Sequence, residues 1–429
     1  MSDELTMYQR VIEALRSGVP NRDAVRAMGC SQDMVEQLFE PKLQQVSEQL
    51  AAGQQVTGLL VSGGFGTGKS HLLEYLEDRA LDERFVCSRI VISKETPLYD
   101  AAKLFRAAVE SAVVPSRTEQ TLQEVASGLR RMRDTDDYAR FRQWCNSAKS
   151  RISALFPASL FLHERLENDP ELVEAIINFW LGEPLGSGDR LSMKKVRDAL
   201  RLVDGATLFQ LNAVTARQLP FERFRFIAQM IAGAGYKGWV LSLDEIELVG
   251  RYSFLQRAKS YAELARWMRA LPEDCYPGVL TVASISDDFV PAVLEKIGGK
   301  GDFGSLRTRL ESRGTEEYRV LAACAEAGMQ IIRRNAIDLR PPNRETVEQT
   351  YRRLKEFHAR AYGWEPPEIA RAEPSSLTRM RKLVRRWINE WDLLRLYEGI
   401  PVTFEERELG PTYNEDTKLE AAPVGPEEV

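Results

Sequence analysis

Histidine and cysteine are scarce in this chain of 429 residues, and both are scattered. The 3 histidines, His71, His163 and His358, share no metal-binding spacing, and the 5 cysteines, Cys30, Cys87, Cys145, Cys275 and Cys324, include no C-x-x-C pair. Neither a zinc site nor a disulfide framework is expected, and the thiols read as buried and reduced. Apolar runs stop at strand length, and no apolar signal region follows the acidic start Met1-Ser-Asp-Glu4. The expectation is a cytoplasmic protein without a membrane span. Positive charge is not in excess either: 58 Lys and Arg stand against 63 Asp and Glu, a net charge of −5. That balance argues against a surface coated for nucleic acid, while leaving room for one local groove. No internal repeat of fixed period occurs. What remains, 44% hydrophobic and 28% charged, describes a globular chain too long for one core, so two or more domains are expected.

One stretch carries more chemistry than any other, Gly63-Gly-Phe-Gly-Thr-Gly-Lys69-Ser70. It has the full Walker A spacing. Upstream, Val56 to Val61 reads as a strand; downstream, Leu72, Leu73, Leu76 and Ala80 fall at helical spacing. Strand, glycine loop and helix in that order turn backbone amides and a helix N-terminus toward phosphate oxygens, where side chains would block the approach. The candidate nucleotide contacts are therefore Gly63, Gly64, Phe65, Gly66, Thr67, Gly68, Lys69, Ser70 and the adjoining His71. In this arrangement the lysine reaches the β- and γ-phosphates of ATP and the Ser70 hydroxyl coordinates Mg2+.

The segment Gly238-Trp-Val-Leu-Ser-Leu-Asp244-Glu245 reads as a buried strand ending in two carboxylates, a Walker B pattern. Asp244 is a second metal residue, and Glu245 is placed to orient the attacking water; the alternative is an acidic pair that caps the next helix. A further strand, from Gly278 to Ser284, ends in Ser284-Ile-Ser286-Asp-Asp288. Either serine suits a sensor of the γ-phosphate and the lytic water.

The remaining pattern is mostly helical. Residues 1–50 form an N-terminal helical region, in which Asp23 to Leu38 has the outline of a helix-turn-helix. Its second helix carries Asp33 and Glu36 and no Lys or Arg, which favours packing over DNA contact. Residues 51–100 and 228–300 make the P-loop core, interrupted by a helical insertion over 101–227. A C-terminal helical lid follows over 301–400, with a Pro-rich break at Leu339-Arg-Pro-Pro-Asn343. Its last helix, from Ser376 to about Tyr397, has an apolar stripe and a face bearing Arg379, Arg381, Lys382, Arg385, Arg386 and Arg395. That face is a solvated surface, a nucleic-acid contact, or the source of a γ-phosphate-sensing arginine, Arg379 or Arg381. The acidic tail, 401–429, reads as disordered.

Ser17-Gly-Val-Pro20, the loop with its His71-Leu-Leu73 extension, Ile92-Ser-Lys-Glu-Thr-Pro-Leu-Tyr99 and Leu243-Asp-Glu-Ile246 together resemble the ATP-binding proteins of BREX phage-defence systems, of the type called BrxD. The similarity covers most of the chain. It implies an α/β AAA+ ATPase fold similar to the origin-recognition branch of replication initiators, working in a bacterial cytoplasm beside other BREX proteins, among them a DNA helicase. Carried onto this sequence, it gives Lys69 and Ser70 to phosphate and magnesium, Asp244 and Glu245 to metal and water, and Ser284 or Ser286 to the sensor. Arg307, Arg309 and Arg313 follow the sensor strand at the distance of an arginine finger, a role that requires a homo-oligomer. A switch with negligible turnover is the second reading, and a small-molecule kinase the third; the helical insertion exceeds what a compact kinase needs.

Overall fold

The computed structural model describes residues 2–19, 21–115, 120–166, 168–295, 300–369, 379–397 and 413–416. The acidic tail therefore lies outside the described residues except at 413–416, and so do residues 376–378 at the expected start of the last helix. In chain order the elements are α1 (Ser2–Ser17), α2 (Arg22–Met28), α3 (Asp33–Ala51), β1 (Leu59–Ser62), α4 (Lys69–Asp82), β2 (Val86–Val91), α5 (Ala101–Glu110) and β3 (Ala112–Val113). There follow α6 (Leu122–Gly128), α7 (Asp136–Cys145), α8 (Leu155–Arg165), α9 (Pro170–Trp180), α10 (Met193–Leu202) and α11 (Leu219–Gly233). The sheet resumes with β4 (Trp239–Asp244), then α12 (Phe254–Trp267), β5 (Val279–Ile285), α13 (Asp302–Glu311), α14 (Glu316–Arg334), β6 (Ile337–Asp338), α15 (Arg344–Tyr362) and α16 (Met380–Leu396).

Among the described residues the strands form one six-stranded sheet in the order β3-β2-β4-β5-β1-β6. All pairings are parallel except that of the edge strand β3 with β2. Strands β1, β4 and β5 are buried at every position, as a parallel sheet covered on both faces demands. Their alternate residues separate cleanly: Leu59, Val61, Val240, Leu280 and Val282 pack under α3 and α4, whereas Leu60, Leu241, Leu243 and Ala283 face the cluster built from α5, α8, α9, α11, α12 and α14. The architecture is α/β, a P-loop AAA+ parallel-sheet core with helical parts. Register brings Val61 beside Ser284 and Val91 beside Asp244, so the C-terminal ends of β1, β4 and β5 share one edge. Ligands of open α/β sheets gather at such an edge.

A third apolar cluster lies apart from the sheet. It joins Tyr8 and Ile12 of α1 to Tyr351 and Leu354 of α15 and to Trp387, Ile388 and Trp391 of α16. The helix at the start of the chain thus packs with those near its end, while α14 belongs to the main cluster. Helices α12 and α14 cross with almost no space between them: a Cβ at Gly328 would lie 1.9 Å from the Tyr261 carbonyl oxygen.

The helix-turn-helix outline resolves into packing. Helix α3 is 19 residues long, runs through Pro41, and buries Val35, Phe39, Leu43 and Val46 against the sheet. Helix α2 is clamped to α4 instead, with Arg26 Nε donating to both oxygens of Asp78 at 3.0 and 2.8 Å. No helix among the described residues is long and apolar enough to cross a membrane.

Candidate functional site

The glycine loop is pinned at its base by both neighbouring strands: Gly63 N donates to Ile285 O at 3.2 Å, and Leu339 N, just past β6, donates to Ser62 O at 2.7 Å. Gly66 and Gly68 take φ of 79° and 105°, a region that side-chain-bearing residues avoid. A Cβ at Gly63 would meet Thr67 Oγ1 at 2.7 Å. Gly63 N and Thr67 N are engaged within the protein, the latter donating to Gly64 O at 3.3 Å, and the glycines carry no side chain over the rest of the loop backbone, a cradle that fits a triphosphate. Lys69, the first residue of α4, is buried and folds back, its Nζ donating to Gly63 O at 2.7 Å and Gly64 O at 3.3 Å. Ser70 follows in the first turn of the helix, half-buried, and Phe65 stands 60% exposed at the loop tip.

The carboxylates meet the loop at the sheet edge. Asp244 is buried at the end of β4 and accepts from Ser284 Oγ at 2.5 Å and from Glu245 N at 3.0 Å. Ser284 thus orients the aspartate from the adjacent strand. Ser286 is buried in the loop beyond β5, and the next residue, Asp287, faces the glycine loop, 3.3 Å from where a Gly64 Cβ would be. Glu245 takes a left-handed conformation, φ 60° and ψ 38°, which is costly for a residue with a side chain. It opens a 3-10 turn, Ile246–Arg251. Burial pushes its carboxyl above the usual range, nearby Asp244 adds to that, and Lys69 and Arg381 oppose it.

Sequence reasoning passed over Glu247. Its Oε1 lies 3.9 Å from Lys69 Nζ, and its Oε2 is buried without a hydrogen-bond partner. Burial raises its pKa, against the pull of Lys69. No spacing signal marked it, because Asp244 ends the strand, Glu245 is left-handed, and Glu247 lies on the 3-10 turn that follows.

Both lid arginines considered above lie at the loop. The side chain of Arg379 packs 3.6 Å from the Cβ position of Gly66, and the Arg381 guanidinium sits 5.8 Å from the Phe65 ring centroid. Arg307, Arg309 and Arg313 point elsewhere. Arg307 pairs with Glu311 and Glu326, Arg309 stacks 3.8 Å from the Phe254 ring centroid, and Arg313 donates to the Tyr318 hydroxyl. His71 is engaged away from the phosphate cradle: its Nε2 is 2.7 Å from Gly29 O, and burial lowers its pKa.

Beside the loop opens a cavity of about 650 Å³, bounded by Leu15 and Met28 of the first helices, Thr67 and Gly68, the Pro-rich segment at Arg340, and Arg381 and Val384 of α16. Its size suits a nucleoside. One side is latched by Gln32, whose carboxamide donates to Arg340 O and accepts from Arg340 N, both at 3.1 Å.

No curated protein and no solved structure matches this chain. The family described as BREX system ATP-binding protein BrxC/D matches over residues 6–131 and 212–389, which hold the glycine loop, the acidic pair, β5 and the first part of α16, and leave out 132–211. On that match the chain belongs to the BREX system ATP-binding protein BrxC/D family.

Proposed function

We propose that this protein hydrolyses ATP with magnesium and uses the cycle to drive or reset a BREX assembly acting on DNA. The observation carrying the reading is the convergence of Lys69, Asp244, Glu245 and two lid arginines around a glycine cradle that opens into a nucleoside-sized cavity. Lys69, now bonded to loop carbonyls, would turn its ammonium to a β- or γ-phosphate. The Ser70 hydroxyl and Asp244 would hold magnesium, which would supply charge neutralisation for the triphosphate. Ser284 keeps the Asp244 carboxylate aimed. Glu245 orients water for in-line attack, and Arg379 or Arg381 senses the γ-phosphate from the lid. Ser286 and the other BREX proteins, a DNA helicase among them, complete the reading as second sensor contact and partners. A homo-oligomer is proposed with it, in which Arg309 completes a neighbour's site.

Glu245→Gln tests this directly. It keeps the size of the side chain and removes the carboxylate, so ATP binding should persist while steady-state phosphate release falls about 100-fold or more. Release at the wild-type rate would remove Glu245 from the mechanism.

A second reading, a nucleotide-gated switch with negligible turnover, draws on the cavity itself. A nucleotide there would touch α1–α2, the core loop and α16 at once, so occupancy alone could set the angle of the lid. Phosphate release that stays at background with magnesium, DNA and partner present would favour it.

A further inference from the structure

Residues 413–416, Tyr-Asn-Glu-Asp, return to the turn that carries the acidic pair. The Tyr413 ring lies on Gly250: a Cβ there would come within 2.6 Å of Tyr413 Cδ1. Its hydroxyl donates to Asp288 Oδ1 at 2.8 Å. Glu415 accepts from Arg257 Nη1 at 2.9 Å, and that arginine is itself fixed by the buried Asp302 at 2.7 and 2.9 Å. Asp416 accepts from Arg251 Nη2 at 2.7 Å, and its own N–H donates to Arg251 O at 3.1 Å. Three of the four residues therefore hold the core, by an aromatic contact, the hydroxyl bond to Asp288, ion pairs with Arg251, Arg257 and Lys300, and a backbone bond.

Their anchors are not scattered. Gly250 and Arg251 end the 3-10 turn that begins directly after Glu245, and Asp288 stands two residues beyond Ser286. The tyrosine thus spans the turn after β4 and the loop after β5, the two segments whose relative position decides where the carboxylates and the serine point. Glu245 holds a strained backbone conformation, which persists only where the surroundings over-determine it. A short 3-10 turn supplies poor restraint on its own. Restraint at its far end comes in part from this segment, beside Val293 packed on Gly250 and the bonds of Tyr252 to Ser93 and Arg257.

We infer that residues 413–416 are a positioning clamp for the nucleotide site: docked, they fix the turn bearing Glu245 and Glu247 against the loop bearing Ser286, and on release turnover falls. The inference rests on the hydrolytic reading above. Tyr413 and Glu415 touch no phosphate in this scheme; they act through Gly250, Asp288 and Arg257.

The test compares the full chain with the double variant Tyr413→Ala, Glu415→Ala and with Tyr413→Phe, measuring phosphate release, binding of a fluorescent ATP analogue with magnesium, and hydrogen exchange over 246–251. For the double variant kcat should fall about 10-fold while affinity for the analogue stays within about 2-fold, since the loss is one of aim rather than of binding. Amides of 246–251 should exchange faster. Tyr413→Phe, which keeps the ring and loses the hydroxyl's contacts with Asp288 and Ser286, should fall between, and a synthetic peptide of residues 411–418 added to the double variant should recover part of kcat. Unchanged kcat, or unchanged exchange over 246–251, overturns the inference; so does an equal loss of analogue affinity and thermal stability, the mark of a merely structural segment. If the wild-type chain binds ATP and releases no phosphate, the hydrolytic reading fails, and the clamp then stands or falls on the exchange data alone.

Discussion

Glu247 places a negative charge where an ATP site should least want one, beside Lys69, the lysine proposed to reach a phosphate. At 3.9 Å, with both side chains mostly buried, the attraction to Lys69 is worth on the order of 1 kcal/mol after screening. ATP has to draw the lysine away from that carboxylate and accept its repulsion. Glu247→Gln should therefore bind ATP more tightly, by about 3- to 10-fold, as read by titration with a fluorescent analogue. Weaker binding would mean that the carboxylate helps hold magnesium instead. A second acid with a titration of consequence is Glu263, whose pKa burial pushes up to about 7 despite Arg266 at 3.1 Å, with Asp274 adding to the rise. A carboxyl with a folded pKa above its unfolded one favours the fold when protonated; its contribution is lost as pH rises from about 4.5 through 7. Glu263→Gln should then stabilise the protein at pH 8, by at most about 3 kcal/mol, and the gain should shrink toward pH 5 in a calorimetric series. Lys69, Ser70 and Asp244 were legible in the sequence because their chemistry is written in contiguous motifs. Glu247 was not, since the 3-10 turn that returns it to the site had no sequence marker. Neither were Asp287, which depends on how two loops meet, and the choice of Ser284 as the residue bonded to Asp244, which depends on strand register.

At the level of elements, the long strands were readable because β1, β4 and β5 are apolar throughout, and the helices because their apolar stripes repeat. Strands β3 and β6 were missed: at two residues each they are too short to show any period, and they exist only because β2 and β1 offer open edges. Helix α3 runs on past Leu38, where the helix-turn-helix outline ended, to Ala51. Pro41 removes one backbone donor, but Phe39 and Leu43 on either side are buried against the sheet, and that burial outweighs the loss. The crossing of α12 with α14 likewise has no signature beyond one glycine. Gly328→Ala would put a methyl group 1.9 Å from a backbone oxygen, which no rotamer change relieves. The helices must part, and the expected cost is about 3 kcal/mol in denaturant unfolding. The consequence should reach further, because Tyr261 on the opposing face donates to Asp302, which in turn holds Arg257 and through it Glu415. A loss below about 1 kcal/mol would show that the two helices are not packed backbone to backbone.

For the whole molecule, the placement of Arg309 decides whether one chain can be a complete catalyst. Within its own chain Arg309 is exposed near the end of α13 and stacks on Phe254, while the lid arginines, Arg379 and Arg381, are the ones at the glycine loop. If Arg309 takes part in hydrolysis, it does so at a second copy, and each site then needs Glu245 from one chain and Arg309 from its neighbour. Arg309→Ala and Glu245→Gln should each be nearly inactive alone. Mixed one to one and allowed to co-assemble, they should recover about a quarter of the wild-type rate, because half of the chains keep Glu245 and half of the neighbours of those chains keep Arg309. The recovery should vanish on dilution below the assembly concentration, read in parallel by light scattering with ATP and duplex DNA. An Arg309→Ala variant that retains full activity, or a mixture whose rate is the mean of the two pure variants, would leave hydrolysis to groups within a single chain and remove the requirement for an oligomer.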